Sequence, residues 1–196
     1  SMSMSDRELR LFDDAVKPEE RGAARVSRKE KFNDYEGFVA KFQKKSKPKL
    51  TTDDCMTPEP VYEAVADWVA AEYKVSRENF VRPFWPGADF TSFDYQPEHI
   101  VVDNPPFSMT VNICRWYLDH GIKFFLFCPG LTTFNTAKEG CCALCVDATI
   151  IYDNSARVLT NFATNLESAG IRSAPTLYNA IKAAVARNDY RSGRKP

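Results

Sequence analysis

Asn104, Pro105, Pro106 and Phe107 follow the run Ile100-Val101-Val102-Asp103 without a break, and their order has a definite chemistry. Asn104 offers a side-chain amide oxygen and Pro105 a backbone carbonyl, while the stiff Pro-Pro unit fixes the separation of the two. Two acceptors so held fit a planar NH2 group, and Phe107 supplies a flat face for the ring that carries it. An exocyclic amine on a heteroaromatic ring is a poor nucleophile because its lone pair is delocalised. Acceptors placed for a tetrahedral nitrogen localise that pair as a new bond forms, so the corner suits alkylation of an amino group by electrostatic preorganisation. That chemistry requires neither a covalent enzyme intermediate nor a metal. The bland alternative for the same four residues is a structural turn with a cis proline.

A corner of this kind must be held by the strand before it. Ile100 to Val102 read as a buried strand, which the two prolines end because neither can donate to a ladder. Upstream, TPEPVYEAVADWVAAEY predicts a helix with Thr57 as N-cap, Pro58 at the first helical position and Glu59 and Glu63 in the early turns. Val61, Val65, Trp68 and Val69 share one face of it. NFVRPF reads as a short strand stopped by WPGAD. MTVNICRWYLDH reads as a helix with Val111, Trp116 and Leu118 among its apolar positions, and IKFFLFCPG as the most buried strand. DATIIYD and VLTNFATNL read as two closing strands joined by a tight NSAR turn, and TLYNAIKAAVARN as a terminal helix. Three successive strands end in a Pro or Gly corner, with helical patterns before the first and between the second and third. That order predicts an open α/β sheet whose ligands lie beyond the carboxyl ends of the strands.

A chain of 196 residues with 44% apolar residues is long enough for one well-buried domain. Its 26 basic and 26 acidic residues cancel, which excludes a polycation that holds nucleic acid by charge alone. The first 49 residues nevertheless carry 13 Lys and Arg against 9 Asp and Glu. They read as a basic, mobile arm (1–49) ahead of the folded domain (50–188) and a basic tail (189–196). Within the arm, KFQKKSKPK brings Lys44, Lys45, Lys47 and Lys49 together, as either a solvated linker or a set of phosphate contacts. Six cysteines, no secretory signal and no bilayer-spanning apolar run predict a reduced, cytoplasmic setting without a membrane. Cys141, Cys142 and Cys145 include a Cys-x-x-Cys spacing, but with no second pair or nearby His they read as free thiols rather than zinc ligands. His99 and His120 are isolated, and nothing forms a Ser-His-Asp set or a phosphate-binding Gly-rich loop.

NPPF matches the tetrapeptide of S-adenosylmethionine-dependent amino-methyltransferases, in which Asp, Asn or Ser precedes Pro-Pro and an aromatic residue. Taken in order, TTDDCMTP, VYEAVADWV, VRPFWPGADF, VVDNPPFS and FFLFCPGLTTF resemble the adenine-specific DNA methyltransferases related to the EcoRI methylase, including small phage and prophage forms. The resemblance covers roughly Leu50 to Leu166. It implies a shortened Rossmann-like methyltransferase fold, with a mostly parallel sheet and a closing antiparallel hairpin. The implied activity is methyl transfer from S-adenosyl-L-methionine to N6 of adenine in DNA, by direct in-line displacement on a flipped base.

On that resemblance Asn104 and Pro105 hold the amine, with Pro106 completing the corner, and Phe107 stacks on the base. Thr57 and Pro58 correspond to the upstream cofactor motif, and Pro83, Phe84, Trp85, Gly87 and Asp89 to the cofactor loop. Either Phe84 or Trp85 would face the sulfonium. The chain departs from the general pattern in two ways. Its loop has a single glycine where Gly-x-Gly is usual, and the 20 residues from Phe84 to Asn104 are too few for the carboxylate that normally holds the ribose. Asp89 and Asp103 are the carboxylates that could substitute. Few residues remain for reading bases, so either the arm and the tail contribute to target recognition, or a second subunit of a homodimer or a separate specificity partner does, or specificity is weak. The rival readings are a methyltransferase acting on RNA or on protein glutamine, and a degenerate, non-catalytic nucleic-acid-binding module.

Overall fold

The structure, a computed structural model, describes residues 56–153 and 155–191. The lysines singled out in the arm, Lys44, Lys45, Lys47 and Lys49, lie outside the described residues. Among those described, β1 (Phe80–Val81), β2 (Ile100–Asp103), β3 (Lys123–Pro129), β4 (Cys142–Ile151), β5 (Arg157–Thr164) and β6 (Gly170–Ser173) form one sheet in the order β1-β2-β3-β5-β4-β6. The pairs β1/β2, β2/β3 and β4/β6 are parallel, whereas β5 runs antiparallel to both β3 and β4. Five strands therefore point one way, and the carboxyl ends of β1, β2, β3 and β4 lie along one edge. This is the predicted α/β class with a mixed, mostly parallel sheet and an antiparallel closing hairpin.

The helices are α1 (Glu59–Tyr73), α2 (Thr110–Asp119), α3 (Thr133–Lys138) and α4 (Pro175–Arg191). α1 places Val61, Val65 and Val69 at i, i+4 and i+8, and α4 places Leu177, Ile181 and Ala184 at comparable spacing. Both stripes close on the same side of the sheet, against Ile100, Val102, Phe125, Phe127, Leu144 and Phe162. The alternate strand residues, Val101, Phe124 and Leu126, are also fully buried, with Phe124 meeting Tyr117 of α2 on the other side. β2 and β3 are covered on both faces, which is why they are apolar without alternation. Each fully buried Val, Leu or Phe there contributes about 1.5–3 kcal/mol.

Several expectations need correcting. Thr57 does not cap α1: Pro58 occupies the cap position, with no side-chain hydrogen bond. A proline can fill that place because it lacks an N–H to leave unsatisfied. The buried face of α2 is Thr110, Ile113, Cys114, Trp116 and Tyr117, while Val111 and Leu118 are only half-buried. β4 begins at Cys142, five residues before the predicted strand, and α3 and β6 were not anticipated. α4 continues to Arg191, beyond the point at which the basic tail was expected to begin. No described helix is long and apolar enough to cross a membrane.

Candidate active site

The carboxyl edge gathers the residues singled out in the sequence. β2 delivers Asp103 and then Asn104, whose Oδ1 is withdrawn from solvent; Pro105 and Phe107 are buried and Pro106 half-buried. No peptide bond among the described residues is cis. The corner turns directly into α2. Met109 N–H donates to Pro106 O at 3.0 Å, and Thr110 Oγ1 donates to Phe107 O at 3.1 Å.

Asp103 is the lock of this edge. Its carboxylate accepts from Phe84 N–H at 2.9 Å, from its neighbour Asn104 N–H at 2.8 Å and from Arg82 Nε at 3.4 Å. One side chain thus fixes the end of β1's loop to the end of β2 and orients the first peptide of the corner. Burial pushes its carboxyl up to about 6, against the opposing pull of these N–H groups and of the Arg82 guanidinium. Arg82 also lies over the Tyr62 ring, 3.6 Å from its centroid, and Nη1 reaches Glu59 Oε2 at 3.9 Å. Tyr62 donates to Val102 O at 2.9 Å, and burial pushes its phenol up to about 12, so it remains a donor. In the sequence Arg82 and Tyr62 stand only as an ordinary strand end and an ordinary helix face.

The loop expected to cradle a cofactor is pinned by its rings. Phe84 packs on Phe90 at 5.2 Å and on Tyr117 at 6.3 Å, and Phe90 meets Trp116 edge-on. Tyr95 donates to Phe90 O at 2.7 Å and lies 2.9 Å from the Tyr117 hydroxyl. The excursion from β1 to β2 therefore contains no α-helix; an aromatic cap seated on α2 takes its place. Phe84 is half-buried in that cap and Trp85 is 53% exposed, so Trp85 is the ring open to a ligand. Pro83 is buried beneath them. Gly87 has φ +81° in a turn closed by Ala88 N–H to Trp85 O, which accounts for a glycine there. Asp89 caps the next short turn, accepting from Thr91 N–H, Thr91 Oγ1 and Ser92 Oγ at 2.6–2.9 Å. Both carboxylates considered for a ribose are thus engaged within the protein.

Thr57 and Pro58 reach the same edge from the α1 side. Met56 O accepts from Asp153 N–H, just past β4, and Thr57 Oγ1 is buried with no hydrogen-bond partner among the described residues. Phe107 is 9% exposed, its ring edge-on to Tyr152 at 5.7 Å. Cys114 and Cys141 meet through their thiols, but the Cys-x-x-Cys pair does not converge. Strand alternation puts Cys142 and Cys145 on opposite faces of β4, and no group of three or more His, Cys, Asp or Glu among the described residues could hold a metal ion. Comparison with family models, with curated proteins and with solved structures finds no match to this chain.

Proposed function

We propose that this chain is a methyltransferase that transfers a methyl group from S-adenosyl-L-methionine to the N6 amine of adenine in DNA, on a Rossmann-like fold of the methyltransferase kind. The observation that carries the reading is the corner at the end of β2. An Asn-Pro-Pro-Phe unit stands at the carboxyl edge of a mostly parallel sheet, its first peptide held by Asp103. Ligands of such sheets bind outside that edge.

The residues nearby fit the cofactor. Thr57 Oγ1 is a buried oxygen without a hydrogen-bond partner among the described residues, and Trp85 presents an open ring at the end of β1. Bound there, S-adenosylmethionine supplies an electrophilic methyl on a sulfonium. Asn104 Oδ1 and Pro105 O accept the two N–H bonds of the amine and direct its lone pair outward. Asp103 acts through Asn104 by fixing the peptide, and is a positioning residue. Phe107 offers the flat surface, with Tyr152 buttressing its edge.

The direct experiment incubates the full chain with methyl-labelled S-adenosylmethionine and, in parallel, adenine-containing DNA, RNA and protein. Label in DNA as N6-methyladenine, lost in Asn104→Ala with the fold intact by circular dichroism, is the expected result. Label in RNA or protein alone would overturn the DNA assignment. The burial of Phe107 favours one second reading, a degenerate module that binds nucleic acid without catalysis. Calorimetric titration distinguishes it: no S-adenosylmethionine binding with or without DNA, together with retained DNA binding, would establish the module.

A further inference from the structure

The strand next to the corner ends in a feature that methyl transfer alone does not explain. Just past β3, Leu131 is 98% exposed, and Phe134 and Leu159 are 59% and 50% exposed. An isolated exposed leucine is ordinary. Here three apolar side chains surround one turn, and that turn is rigid. Thr132 Oγ1 and Thr133 Oγ1 both donate to Pro129 O at 3.2 Å, and Asn161 Nδ2 donates to Thr133 Oγ1 at 3.0 Å. Leu159 packs so close to Gly130 that an added Cβ would lie 3.3 Å from its Cδ2. Leu131, Phe134 and the exposed Lys138 follow at helical spacing, which sets two apolar groups and a cation on one side.

Resting on the adenine-methylation reading above, we propose that Leu131 and Phe134 form a wedge that enters the stack of duplex DNA and fills the space left by the adenine turned into the corner. β3 lies beside β2 in the sheet, so the wedge and the acceptors Asn104 and Pro105 rise from neighbouring strand ends. Turning a base out of a duplex costs a few kcal/mol of stacking and pairing. Apolar side chains inserted between base steps are a known way to offset that cost, and a rigid wedge loses little entropy in doing so. Lys138 supplies a phosphate contact beside the apolar tip. Substrate choice follows: the wedge matters for paired adenine and is irrelevant to adenine in a single strand.

The test compares wild type with Leu131→Ala and Leu131→Ala/Phe134→Ala. Both changes lie on exposed side chains and leave the core untouched. Label transfer is measured on the same DNA as duplex and as single strands. Fluorescence of 2-aminopurine in duplexes of randomised flanking sequence is followed without cofactor, as a direct report of unstacking. The expected result is a loss of about tenfold or more on duplex, little change on single strands, and loss of the fluorescence rise. Equal loss on both substrates, or no loss on duplex, would overturn the wedge while leaving the methyltransferase reading standing. A shift of oligomeric state in sedimentation that accounts for the loss would instead make the patch a contact between copies and also overturn it. If wild type labels neither substrate and does not unstack 2-aminopurine, the underlying reading and the wedge fail together.

Discussion

Two side chains make opposite demands on the protein. Thr57 carries a buried hydroxyl with no partner among the described residues, which costs stability in the absence of a ligand. Thr57→Val keeps the shape and removes the oxygen. It should raise the unfolding free energy by about 1 kcal/mol in urea titrations and weaken S-adenosylmethionine binding by calorimetry. A valine variant that gains stability and loses no affinity would show that the hydroxyl meets no cofactor. Asp103 is buried with a carboxyl pushed up to about 6. Below about pH 4 the folded and unfolded chains both carry its proton; between about 4 and 6 the unfolded chain ionises first, so this group's contribution falls as pH rises. At about 1.4 kcal/mol for each tenfold change in acidity, the loss is roughly 3 kcal/mol. Asp103→Asn should flatten that slope, as read from urea midpoints at pH 4.5 and 7.5.

Among the elements, β4 and β5 depend on Asn161. Their register shifts between Leu144 and Ala148, where Asp147 adopts φ +53°. Asn161 Oδ1 accepts the Val146 and Asp147 N–H groups at 2.8 and 2.7 Å, while its amide donates to Thr133. Asn161→Ala should cost about 2–3 kcal/mol in chemical denaturation, and Asn161→Asp less, because the acceptor survives. The sequence announced β2, β3, α1 and the closing hairpin because each has an unbroken apolar run or a clear period. It could not announce α3, whose six residues are too few for periodicity, or β6, an edge strand of four mostly exposed residues without alternation. The start of β4 carries no such signal: Cys142 and Cys145 read as free thiols, with neither a β-branched run nor an alternation of polar and apolar residues to mark a strand. At the site, Asn104 to Phe107 were legible as a strand-end corner. The role of Asp103 as a clamp was not, because its partners Arg82 and Phe84 are some 20 residues away in sequence.

On the scale of the whole molecule, the edge opposite the candidate site is a polar anchor. Glu167 accepts from Arg172 Nε and Nη2 at 2.7 and 2.8 Å, from the Tyr73 hydroxyl at 2.6 Å and from the Cys142 thiol at 3.2 Å. The Arg172 guanidinium holds its carboxyl down to about 2, and burial pushes the Cys142 thiol up to about 12, leaving that cysteine unreactive at neutral pH. The contribution of Glu167 is present above its ordinary value of 4.5 and is lost as pH falls toward 2. Asp103 and Glu167 thus act in opposite directions, one losing its contribution as pH rises from about 4 to 6 and the other as pH falls from 4.5 toward 2. In a pH series of thermal midpoints Glu167→Gln should reduce the loss on the acid side without abolishing it, because Glu63 and Asp89 are also held below their ordinary values. The placement of β5 also bears on how the chain is made. β3 and β4 are complete before the strand that joins them has been synthesised, so a nascent chain or a truncation ending near Tyr152 leaves two long strands with unpaired inner edges. The sheet closes only when the last fifth of the chain, from Arg157 on, inserts β5 between them. Ribosome-stalled or prematurely terminated forms should therefore be the aggregation-prone ones, whatever the stability of the finished protein.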